Sequence, residues 1–289
     1  MGLQFVANYV IFPYLLLFLI TSKQTHGSRA VQADGIDKET NVLQLHSMDV
    51  QGHPSSHMHH MDSSLIMFFK LEDLKMGNTM QVYFPKRDPS RSPHLLSKEK
   101  AESIPFSLAQ SPSLLKRFSF VQDSPQAKAM EDTLRQCENK PIKGETKFCA
   151  TSLESMLDFT RSIFGFDVNI KILATKHQTK SPTLIQDYTI CQVPEEILAP
   201  KMVACHTLPY SYAVFYCHYQ KSKSRVFKVP LVGENGDRVE AIGVCHLDTS
   251  QWSPSHPSFQ VLEIEPGTSP VCHFFPADNF VWVPSPVVN

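Results

Sequence analysis

The chain has 289 residues, 42% of them hydrophobic, with 27 basic against 28 acidic side chains. That is enough apolar chain to bury a core in one or two domains without metal or disulfide support. Neither charge sign runs in long blocks, which excludes the electrostatic footprint of a nucleic-acid binder; the short Lys221, Lys223, Arg225, Lys228 cluster reads as a solvated strand edge.

Met1 to Ser22 carries no charged side chain, and Tyr9 to Ile20 is an apolar run of the length of a signal-peptide core. The run is short and interrupted by Pro13, so residues 1–27 are expected to be a cleaved signal peptide that leaves no stable membrane span. Residues 28–64 read as a flexible polar linker. Its tract His53-Pro-Ser-Ser-His57-Met58-His59-His60-Met61 offers donors to a soft metal, but reads first as a solvated tail.

The folded domain is expected over 65–289, opening with strand, turn and strand through Phe68-Phe69, Asp73 to Gly77 and Val82 to Phe84. Ser124-Pro125 supplies an N-cap and first-turn pair for a helix around 126–137. A second helix, around 152–164, follows from the capping-box spacing Thr151-Ser-Leu-Glu154, with Gly165 ending it and Gly144 to Cys149 leading in. Beyond Phe166 helical periodicity is absent, and strands are expected at 187–193, 202–206, 213–219, 226–232, 239–246, 259–265 and 271–275. Gly233-Glu-Asn-Gly236-Asp between two of them is a hairpin loop. The class is α+β, with an antiparallel β-rich domain.

The densest chemistry lies in four dipeptides: Cys205-His206, Cys217-His218, Cys245-His246 and Cys272-His273. In an oxidising lumen cysteines persist as disulfides. Cys137 and Cys149 form a local pair, Cys191 is the odd thiol, and the pairing among six candidates stays open, since six cysteines allow fifteen connectivities. On a strand, adjacent side chains point to opposite faces, so one metal cannot easily take both members of a dipeptide. No Cys-x-x-Cys spacing marks a zinc site either.

The simpler arrangement puts sulfur on the packed side and imidazole on the other. Histidines sharing that face would suit copper, zinc, iron or nickel, with copper the candidate in the secretory pathway. The alternative is two disulfides with hydrogen-bonded structural histidines beside them. Asp248, Ser250, Trp252 and His256 follow closely, but no Gly-x-Ser-x-Gly elbow surrounds the serine. They read as a polar loop in which Asp248 or His256 could support a histidine cluster.

The four dipeptides are separated by ten, twenty-six and twenty-five residues. With Ile104-Pro105-Phe106, Lys147-Phe148-Cys149-Ala150-Thr151-Ser152-Leu153-Glu154, Pro209-Tyr210, Cys245-His246-Leu247-Asp248-Thr249-Ser250 and Val271-Cys272-His273-Phe274-Phe275-Pro276, this pattern resembles the plant BURP domain over about Leu65 to Pro284. The short, repeat-free organisation is similar to the unknown-seed-protein-like members, linked to seeds and protein storage vacuoles. That resemblance implies a non-catalytic protein of the secretory pathway, tied to seed development or stress and bound for the vacuole, the extracellular space or the cell wall.

Two alternatives come from other branches: a cell-wall polysaccharide-associated protein, and a copper-dependent cyclase that crosslinks Trp or Tyr of a core peptide. For the cyclase branch, the resemblance implies copper on His206, His218, His246 and His273. Residues 28–64 contain no Trp or Tyr, so a peptide substrate would have to be a separate molecule.

Overall fold

The computed structural model describes residues 67–84, 92–179 and 183–285. The expected signal peptide and linker lie outside these residues. After β1 (Phe68–Phe69) and β2 (Thr79–Tyr83) come α1 (Lys98–Glu102), α2 (Ser111–Phe118) and α3 (Pro125–Glu138), then β3 (Glu145–Ala150) and α4 (Leu153–Phe164). A largely extended stretch follows: β4 (Ile170–Ala174), β5 (Lys176–His177), β6 (Ile185–Ile190), β7 (Glu195–Ile197), β8 (Val203–Leu208), β9 (Val214–Gln220), β10 (Ser224–Gly233) and β11 (Arg238–His246). The chain closes with α5 (Pro257–Leu262), β12 (Val271–Phe274) and β13 (Phe280–Pro284).

The fold is α+β with two antiparallel sheets, as the sequence implies. One runs β1-β12-β11-β10-β6-β2, with β5 on β11 and β7 on β10; the other runs β3-β9-β8-β13-β4. The β9–β10 turn carries the chain from the second sheet into the first. Leu173, Ala204, Val281 and Val283 of one sheet meet Val226, Ile242 and Val244 of the other, with Phe275, in a shared buried cluster. Full burial of such side chains contributes roughly 1.5–3 kcal/mol each. This cluster holds β8 and β11, and so two of the Cys-His strands, against one another.

Local signals act where they were expected in α3. Ser124 Oγ accepts from the Ala127 N–H, Pro125 opens the helix, and Ala127, Met130 and Leu134 form its buried face. The cap of α4 is Ser152 and not Thr151, because Ser152 and Ser155 cap one another reciprocally. Gly165, at φ 107°, ends that helix in a conformation glycine tolerates best. The β10–β11 hairpin turns where Asn-Gly lies, Gly236 taking φ 85° while Asn235 Oδ1 accepts from the Asp237 N–H.

One expectation changes, and two connections are made over longer range. The segment expected as a strand at 259–265 begins instead with α5: Pro257 starts it, His256 caps it through Nδ1, and Glu263 closes it in the left-handed region. Residues 145–150, which lead into α4, do so as β3, paired along its length with β9. Strands β1 and β2, though close in sequence, do not pair; β1 adds to β12 and β2 to β6.

Candidate metal centre

The cross-strand register explains why each dipeptide divides its labour. Cys205 lies directly opposite Cys217 on β8 and β9, and Cys245 directly opposite Cys272 on β11 and β12. Both pairs are disulfides, and all four cysteines are 0% exposed. Cys137–Cys149 is the third disulfide, tying the end of α3 to β3, and Cys191 is free and exposed. One position further along each strand the pleat reverses the side chain. His206 and His218 therefore sit diagonally across the β8–β9 pair, and His246 and His273 diagonally across β11–β12.

The two sheets deliver these diagonal pairs to one place. Around the resulting four-membered ring, centroids are separated by 5.5 Å (His206–His218), 6.5 Å (His218–His246), 5.6 Å (His246–His273) and 5.8 Å (His273–His206). The rings line a cavity of about 460 Å³, with Phe68, Tyr216, Trp252 and His256 among its other walls. That volume lies within the range of small-molecule sites.

Burial holds His206 and His246 well below the ordinary imidazole range, and pushes His273 down to about 4, the neighbouring imidazoles adding a smaller effect in the same direction. Neutral imidazole is the form that binds metal. Gln220 Oε1 lies 3.1 Å from His246 Nδ1, so with that oxygen accepting, Nε2 keeps its lone pair. Asn279 approaches His206 Nδ1 at 3.4 Å while its oxygen accepts from Thr207, a contact that favours the other tautomer and must yield if His206 ligates through Nε2.

Glu145 supports the fourth ring. Its Oε1 accepts from the Tyr216 hydroxyl at 2.9 Å and lies 3.2 Å from His218 Nδ1, off the line a hydrogen bond requires. His218 Nδ1 is thus buried without a well-formed partner. Burial alone would raise the Glu145 carboxyl; contact with His218 and the Tyr216 hydroxyl outweigh it and hold the group below its usual range.

As they stand, no three His, Cys, Asp or Glu side chains among the described residues are placed to hold a metal ion. Four imidazoles held tetrahedrally at 2.0–2.1 Å would place their centroids about 5 Å apart, so this ring has to contract by roughly 1 Å. The imidazole donor set and the neutral state of His206, His246 and His273 fit a borderline transition metal; the spacing fits only after that closure.

Of the other residues singled out from sequence, Trp252 and His256 reach the cavity, with Trp252 5.0 Å from His246 and 4.6 Å from His256. Asp248 does not line it; its carboxylate accepts from the Ser250 N–H in an exposed turn. Sequence reasoning missed Tyr216, Gln220, Glu145 and Asn279. Tyr216 and Gln220 lie two residues either side of His218 on β9, a period-two signal that was there to read. Glu145 and Asn279 arrive from distant strand pairing and had no local signal.

The BURP domain profile matches residues 67–284. Over 227 residues the chain is 46% identical to the BURP domain protein USPL1 of Arabidopsis thaliana, covering 77% of this chain and 81% of that one. It is 45% identical over 227 residues to the BURP domain-containing protein BNM2A of Brassica napus, covering 77% and 80%. Over 225 residues it is 40% identical to the BURP domain protein RD22 of Arabidopsis thaliana, covering 77% and 57%.

Proposed function

Because this chain belongs to the BURP domain family, we propose that it is a disulfide-stapled protein of the secretory pathway that binds copper through His206, His218, His246 and His273. The observation that carries this reading is the meeting of two diagonal histidine pairs, one from each sheet, in the lining of a single cavity. Copper is preferred over the other divalent metals that imidazole suits because it stands highest in the affinity series. Three disulfides support an oxidising compartment, with the storage vacuole, extracellular space or cell wall as destinations. Among the described residues no helix is long and apolar enough to cross a membrane.

Bound copper would supply a redox-active centre facing the cavity. The chain's own groups hold and orient it: four imidazoles ligate, Gln220 holds the proton on His246 Nδ1, and Glu145 braces His218. A binding role in seed or stress physiology is the first reading. A second, oxidative crosslinking of a Trp or Tyr side chain, is favoured by the cavity's aromatic wall at Phe68 and Trp252. Its substrate would be a separate peptide, and dioxygen the acceptor of the two hydrogens removed.

Metal analysis of protein purified with and without added copper tests the first reading. About one copper per chain, lost in His246→Ala, is expected; no retained copper would sink it. Mass spectrometry of Trp- or Tyr-containing peptides incubated with copper-loaded protein tests the second, which requires a product lighter by two hydrogens.

A further inference from the structure

A second cavity, of about 510 Å³, lies between residues 196–202 and the β9–β10 turn. It shares only Gln220 with the histidine cavity. Its apolar surface comes from Ile197, Met202 and Val226, which also pack on the core shared by the two sheets. Leu198 lines it too, yet is 86% exposed, an aliphatic side chain with almost no cover.

Around this apolar surface stand four cations, Lys201, Lys221, Lys223 and Arg225, against one carboxylate, Glu196. That carboxylate is already engaged, accepting from Arg225 Nε at 2.8 Å and from a second guanidinium nitrogen. Lys201 donates to the Ile163 carbonyl oxygen, which leaves its charge uncompensated. Neither Lys221 nor Lys223 has an ion-pair partner among the described residues. The basic cluster seen in the sequence is therefore divided. Lys228 pairs with Glu195 away from the cavity, while the other three members line it.

A third feature adjoins these two. Among the described residues strand β7 pairs with β10 alone, so its other edge offers unpaired main-chain groups beside the cavity. An extended peptide can add to such an edge while its side chains enter neighbouring pockets.

We propose that this cavity binds an acidic peptide segment of a partner protein, its carboxylates on Lys201, Lys221 and Lys223 and an aliphatic side chain on Ile197, Leu198 and Met202. An acidic polysaccharide would match the lysines but leave the aliphatic surface and the strand edge unused. The site does not depend on a metal in the histidine cavity.

The test is fluorescence anisotropy of the full disulfide-bonded protein with a labelled Asp-Leu-Glu-Leu-Asp-Glu peptide. Saturable binding is expected, weakening as salt is raised because rim charges are screened over about 8 Å at physiological ionic strength. Lys221→Glu combined with Lys223→Glu should weaken it at least tenfold, and Leu198→Ser several-fold. All three positions are exposed, and retained copper-independent thermal unfolding checks that the variants fold. Absence of saturable binding, equal binding by the charge-reversed variant, or equal binding of a Ser-Leu peptide without carboxylates overturns the proposal. Tighter binding of trigalacturonate than of the peptide would overturn it in favour of a sugar acid.

Discussion

The sulfur side and the imidazole side of the same four dipeptides meet opposite fates. The sulfurs are wholly buried and joined in pairs directly across β8–β9 and β11–β12. The imidazoles, one residue on, face a cavity and are joined to nothing that would fix them there covalently. One pleat of the strand separates a staple from a candidate ligand. The disulfides lock the strand registers, and those registers set the imidazole spacing, so the staples lie on one face and the candidate ligands on the other.

The largest effect should come from the sulfur side. Replacing Cys245 and Cys272 together by alanine frees a loop of separation 27 and is expected to cost about 3–4 kcal/mol in chemical denaturation. Replacing His273 by alanine should cost far less at neutral pH while removing one of the four proposed copper ligands. Equal losses of stability from the two changes would erase the division between the faces.

Acid should act through the imidazole side. His273 has a folded value of about 4 against about 6.5 unfolded, so the unfolded chain binds more protons between them. The stability linked to this neutral ring is fully present above about pH 6.5 and is lost as pH falls toward 4. His206 and His246 act in the same direction. Denaturation of the metal-free protein across this window should show that decline, and a flatter one in His273→Ala; a flat profile in the unaltered protein contradicts the assignment.

Smaller effects sharpen the picture of how the ring is braced. Glu145→Gln should lower copper affinity by about 10- to 100-fold, as loss of a carboxylate behind a ligating histidine does. Removing only the hydroxyl, in Tyr216→Phe, should leave copper bound and cost about 1 kcal/mol of stability, one hydrogen bond to Glu145. Isothermal titration with copper and parallel denaturation separate the two; a Tyr216→Phe loss larger than that of Glu145→Gln would reverse the roles.

The sequence made the two faces legible because strand alternation is a local property. From it come the cysteines on the packed side and the imidazoles on the other; Cys191 as the odd thiol and the Cys137–Cys149 pair follow from counting and sequence proximity. Helices α3 and α4 were also legible, since capping serines, Pro125 and Gly165 act within a few residues. What was not legible depends on long-range pairing. That the first two dipeptides belong to one sheet and the last two to another follows from β13 and β12 joining different partners. Glu145 reaches His218 only because β3 pairs with β9, 71 residues away from Tyr216. Residues 259–265 start helical and not as a strand because Pro257 fits a first helical turn and His256 Nδ1 accepts from the Ser258 N–H.

X-ray absorption at the copper edge tests the central claim most directly. Copper-loaded protein should show a first shell of imidazole nitrogens alone, about four per copper, at about 2.0 Å, reduced in His206→Ala and His273→Ala. A sulfur-containing shell, or a spectrum unchanged by either substitution, would contradict the account.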